Sequence, residues 1–136
     1  MGKRIASLLI LVAAVAVTLS AAADALKPFI GTWEGKHEGK TYAILKLKDV
    51  EHLSGTISLG NIHTDEDGNI TDVTEAADDE SPILDPKLDG KKLMFGWKDG
   101  DDVTRIEMTL TGAGEAELRF LSENGTPPVV RLRKVE

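Results

Sequence analysis

The chain has 136 residues, no cysteine and a formal net charge of −7, which excludes disulfides, thiolate metal sites, cysteine nucleophiles and a lipid-bearing cysteine. Nine acids and no Lys or Arg lie between Thr64 and Pro86, so one segment carries the charge while the rest of the chain is close to neutral. No basic stripe is present that could release counterions from phosphates, which argues against nucleic acid as a partner.

Residues 1–23 read as a helical signal peptide. Lys3 and Arg4 form a basic n-region, Ile5 to Leu19 is an apolar run, and Ala21-x-Ala23 and Ala23-x-Ala25 offer small-residue cleavage sites. The alternative is an uncleaved anchor, because Ile5 to Ala23 is just long enough to span a bilayer. Either way Lys3 and Arg4 stay on the cytoplasmic side and the remainder is exported, to the periplasm or outside a bacterial cell. Loss of the leader takes the net charge from −7 to −9. Residues 24–136 suit a single domain, which without disulfides must be held by core packing.

From Thr32 onward the apolar period is two, with turn signals between short runs, and this predicts an all-β antiparallel meander. The expected strands are Thr32–His37, Thr41–Lys48, Leu53–Ile62, Pro82–Leu88, Lys91–Lys98, Val103–Leu110, Ala116–Leu121 and Val129–Lys134. Ile70–Thr74 makes a ninth if it pairs. Asp89-Gly90 fits a two-residue hairpin turn, and residues 63–81 form an acidic loop. A meander of this kind hides its edges by closing as a small barrel, the β-sandwich being the alternative. Inward parity selects Trp33, Leu45, Leu47, Ile57, Leu84, Leu88, Leu93, Phe95, Trp97, Ile106, Met108, Leu118, Phe120, Val130 and Leu132 among the core residues.

Phe29-Ile30-Gly31-Thr32-Trp33 resembles the start of lipocalin-like (calycin) barrels. The resemblance implies a short segment plugging one end, Gly31-x-Trp33 leading into the first strand, and a basic residue of the last strand, Arg131 or Arg133, packed across the tryptophan. Together with Leu53-Ser54-Gly55-Thr56, the same motif is similar to the avidin family. The positions that would hold biotin there fall near Gly35, Gly39 and Ile57, whose side chains make no hydrogen bonds, so biotin is not the expected ligand.

His63-Thr64-Asp65-Glu66-Asp67-Gly68-Asn69-Ile70 has the middle of a calcium loop, which makes Asp65, Asp67 and Asn69 candidate ligands of a weak surface site. Its ends fail: His63 stands where the first carboxylate belongs, and Glu75 comes one residue late. Of the three histidines, His52 and His63 are too far apart on an extended strand to share an ion, while His37 shares the parity of Trp33 and belongs at the barrel mouth. No nucleophile elbow or phosphate loop is present, and the expectation is a protein that is not an enzyme and carries no cofactor. The expected function is a non-catalytic binding module for an apolar small molecule, lined by Trp33, His37, Phe95, Trp97 and Phe120, and a monomer apart from any envelope partner. The alternative is an envelope interaction or structural protein with a partly apolar outer face at Tyr42, Ile44, Met94 and Leu121.

Overall fold

The computed structural model describes residues 24–121 and 128–135, apart from the Asp99 side chain. The expected leader, residues 1–23, lies outside the described residues. A 3-10 turn, Lys27–Phe29, precedes strands β1 (Gly31–His37), β2 (Lys40–Lys48), β3 (Ser54–Leu59), β4 (Ile62–Thr64), β5 (Ile70–Val73), β6 (Ser81–Pro82), β7 (Leu84–Asp89), β8 (Lys92–Asp99), β9 (Asp102–Gly112), β10 (Glu115–Leu121) and β11 (Val129–Lys134).

Nine strands form one antiparallel sheet in the order β6-β3-β2-β1-β11-β10-β9-β8-β7. Its two ends meet, because β6 and β7 are one stretch interrupted only at Ile83. Ser81 and Pro82 pair with Ile57 and Thr56 of β3, the Ile83 N–H donates to the Gly55 carbonyl at 3.0 Å, and Leu84 begins the pairing with β8. The sheet is thereby nearly closed into a barrel, the expected architecture. Ile70–Val73 does pair, but with β4, in a separate two-stranded sheet. The long third strand expected over Leu53–Ile62 accordingly breaks at Gly60, where the Thr74 carbonyl crosses so closely that a Cβ would collide with it.

Turn chemistry sets the registers. Glu38 and Gly39 both take positive φ, 51° and 81°, between the paired His37 and Lys40, the pattern of a type I′ hairpin. The Asp89-Gly90 hairpin forms one residue later than expected: Asp89 pairs with Lys92, and Gly90 (φ 62°) is the first central residue. Only Gly90 of the two central residues is left-handed, which is the type II′ demand for glycine at that position.

The interior alternates as period two requires. Trp33, Leu45, Leu93, Phe95, Ile106, Met108, Leu118 and Val130 are wholly shielded from solvent, and Leu47, Ile57 and Leu132 nearly so. Outward positions carry Glu34, Lys36, Arg105, Glu107, Glu117, Arg119, Arg131 and Arg133. Apolar inside and charged outside is the reverse of a transmembrane barrel. No helix among the described residues is long and apolar enough to cross a membrane.

Two expected parities change, each at a bulge. Leu84 lies opposite Gly96 on the outer face, while Ile83 is buried in its place; Asp85 (φ 45°) absorbs the extra residue between Leu84 and Lys87. Tyr42 is the unpaired residue where β2 shifts register against Gly35 and Lys36. It is buried at 2% exposure rather than part of an open outer patch, and the desolvation pushes its phenol above the ordinary pKa.

Candidate functional site: the barrel mouth

The two ends of the barrel differ. At one end the 3-10 turn is stitched to the wall: the Trp33 Nε1–H donates to the Phe29 carbonyl at 2.9 Å, and the Lys134 ammonium donates to the Pro28 carbonyl at 3.0 Å. Lys134 Nζ also lies 5.0 Å from the centroid of the Trp33 ring, a cation–π contact. Lys134 therefore fills the place expected for Arg131 or Arg133. Parity is the reason, since Lys134 shares the face of Val130 and Leu132. The two arginines point outward, with Arg131 at 3.9 Å from Glu117 and Arg133 at 3.2 Å from Glu115.

The opposite end collects the β1–β2 turn, the β8–β9 turn, the end of β10 and the excursion that carries β4 and β5. In a small barrel, inward residues at one level come from alternate strands. Alternate members of this ring are β1, β10, β8 and β3, and their last inward residues are His37, Phe120, Trp97 and Leu59. Trp97 and Phe120 meet edge to face, with centroids 6.3 Å apart and planes at 84°. Phe120 is 8% exposed, while Trp97 and Leu59 are partly open and pack on the core.

His37 is the polar member of this layer. Its Nε2 atom is buried and has no hydrogen-bond partner among the described residues; the nearest carboxylate oxygen, on Glu38, is 3.9 Å away, beyond hydrogen-bond reach. A buried imidazole nitrogen without a partner forfeits about 1–3 kcal/mol, and such an atom calls for a water, an ion or a ligand to satisfy it; the His37 side chain as a whole is 27% exposed.

Beside this layer sits the acidic hairpin. Lys40, cross-strand neighbour of His37, donates to the Val73 carbonyl at 3.3 Å and lies 3.8 Å from Asp72. The Gly60 N–H donates to Tyr42 and the Ala76 N–H to Thr41, at 2.8 Å each, which brackets the excursion against the start of β2. Val73 is fully buried, and Ile62 and Ile70 pack on the core. The hairpin is thus a docked element with an apolar underside.

The sequence-selected residues fall into three places. Trp33 belongs to the sealed end, and Phe95 to the filled middle of the barrel. His37, Trp97 and Phe120 come together at the mouth. Leu59 completes their layer, and its parity in the third strand already pointed inward. At the hairpin tip, the Asp65 carboxylate accepts the N–H groups of Asp67 and Asn69, both at 2.9 Å. The Asn69 hydrogen bond, ahead of the others, holds the Asp65 carboxyl below its ordinary pKa. Asp65, Asp67 and Asn69 are thereby joined through backbone N–H donors to the Asp65 carboxylate. Among the described residues, no three His, Asp or Glu side chains gather as a metal site.

Two concavities among the described residues lie outside the barrel. One, of about 500 Å³, runs over β1, β11 and β10 between Glu34, Lys36, Glu115, Glu117, Arg131 and Arg133; the other, of about 240 Å³, lies beside Lys92, Glu107 and Arg119. No protein-family model, curated protein or solved structure matches the chain.

Proposed function

We propose that this is an exported, non-catalytic barrel related to the calycins that binds a small apolar molecule at its mouth. The observation that carries the reading is the buried, unpartnered His37 Nε2 in a layer otherwise made by Leu59, Trp97 and Phe120. A few convergent polar groups among apolar ones is the composition of a small-molecule site. The shielded interior side chains support a compact molecule that lies against the aromatic pair at the rim rather than inside the barrel. Kinship with the calycins is supported by Gly31-x-Trp33, the 3-10 plug and the Lys134 contact. Export is supported by the basic, apolar and small-residue succession of residues 1–25.

Native mass spectrometry of the protein purified from its exported fraction tests this reading directly. A mature mass beginning near Asp24, with a co-purified small molecule that raises the melting temperature, is the expected result. A clean apo mass, with no thermal shift across a library of compact aromatic and aliphatic compounds, contradicts it.

The outer concavity supports a second reading, an envelope interaction protein. Its three ion pairs are exposed and interleave both signs, a surface suited to a polar, charge-complementary partner. Crosslinking from Lys36 in the exported compartment would then give one discrete adduct; a ladder of unrelated products counts against it.

A further inference from the structure

We propose that the outer face of β7 to β10 is where a second copy of this chain docks, as a weak two-fold dimer. Three large apolar side chains are exposed among the described residues, Val103 at 56%, Val135 at 48% and Leu121 at 40%, and Val103 and Leu121 share this face. The registers give its layout. Val103 lies opposite Lys98; the next row runs Leu84, Gly96, Arg105, Leu121 from β7 to β10, and the one after it Lys87, Met94, Glu107, Arg119. A Cβ on Gly96 would stand 3.1 Å from Val103 Cγ1 and 3.4 Å from the Leu84 Cβ, so those two side chains close over the glycine into one apolar strip. Met94 continues the strip and Leu121 flanks it across Arg105. Apolar side chains grouped on a surface and rimmed by charge mark a contact.

Charge is graded along the strip. Beyond Val103, the β8–β9 turn is Asp99-Gly100-Asp101-Asp102, with Lys98 as its neighbouring base. Away from the turn, Lys87, Lys92, Arg105 and Arg119 stand with Asp85 and Glu107. Lys92 holds Glu107 at 3.5 Å, and Lys87, Lys98, Arg105 and Arg119 make no ion pair among the described residues. The turn end is therefore acidic and the far end basic. A two-fold axis in the contact plane, across the strands, sets the acidic end of each copy over the basic end of the other, with the apolar strips between them. A uniformly anionic partner would be repelled at the turn and a cationic one at the arginines; a second copy satisfies both ends. The face measures roughly 14 Å across and 20 Å along. That is about 300 Å² per copy against about 800 Å² in a standard interface, which makes the pairing transient.

Sedimentation equilibrium of the protein purified from its exported fraction is expected to show monomer and dimer with a Kd on the order of 0.1–1 mM. Val103→Lys is expected to weaken the dimer about ten-fold or more, while Val135→Lys, on another face, leaves it unchanged. Two double variants test the orientation. Asp101→Lys with Asp102→Lys makes both ends basic, and Arg105→Glu with Arg119→Glu makes both acidic; all four side chains are exposed. Each double variant alone is expected to be monomeric, and an equimolar mixture recovers the dimer. A strict monomer at about 1 mM, a dimer that Val103→Lys leaves intact, or a mixture that stays monomeric overturns the proposal. A monomer that co-sediments with phosphatidylglycerol vesicles, and loses them in Val103→Lys, overturns it in favour of a lipid surface.

Discussion

At the sealed end the Lys134 ammonium covers the Trp33 ring and holds the Pro28 carbonyl. Lys134→Met keeps the stem and removes the charge, and it is expected to cost about 1–2 kcal/mol in chemical denaturation. Arg133→Met, which loses an exposed pair with Glu115, is expected to cost under about 1 kcal/mol. The reverse order would mean that the clasp does not hold the plug. Tyr42 supplies a pH signature with a fixed sign. Burial raises its folded pKa, so an unfolded chain ionises first and stability, flat below about pH 10, declines above it. Tyr42→Phe removes this tyrosine's part of the alkaline loss, measured as melting temperature against pH. Parity in the last strand made Lys134 legible as the inward cation. The arginines were favoured because the family resemblance names a basic residue, not a face.

Among the elements, the meander and its closure were readable from period two and from the Gly-bearing turns, while bulges were not. Asp85-Pro86 gives no composition signal for a change of face, yet the shift there exchanges Ile83 for Leu84 in the core. The acidic excursion was the hardest element to read, since its charges suggest a solvated loop and only Ile62, Ile70 and Val73 show that it has an underside. Its attachment depends on Gly60, whose missing Cβ lets the Thr74 carbonyl pass. Gly60→Ala is expected to leave the barrel folded and to speed amide exchange at Val73, Thr74 and Ala76 by about ten-fold or more. Unchanged exchange at those amides, with the barrel intact, would show that the hairpin docks by other means.

For the molecule as a whole, the decisive feature is a barrel filled with its own side chains, with Trp97 and Leu59 partly exposed at one rim. A small barrel either packs its interior or holds a ligand inside, and composition alone does not separate the two, because the same Leu, Phe and Met residues serve both. Leu118, fully shielded on β10, distinguishes them energetically. Leu118→Ala is expected to cost about 2–5 kcal/mol, as for a packed core, and a loss under about 1 kcal/mol would indicate a hollow interior. The chain also carries its own pair of reporters, since its two tryptophans stand at opposite ends, Trp33 under the plug and Trp97 at the mouth. Titrating the ¹⁵N-labelled mature protein with a compact neutral aromatic, 2-phenylethanol, and following both indole N–H resonances is therefore the most direct measurement. A ligand at the mouth moves the Trp97 signal and leaves the Trp33 signal in place. A shift confined to Trp33, equal shifts in both, or no shift in either would contradict a ligand site at the mouth.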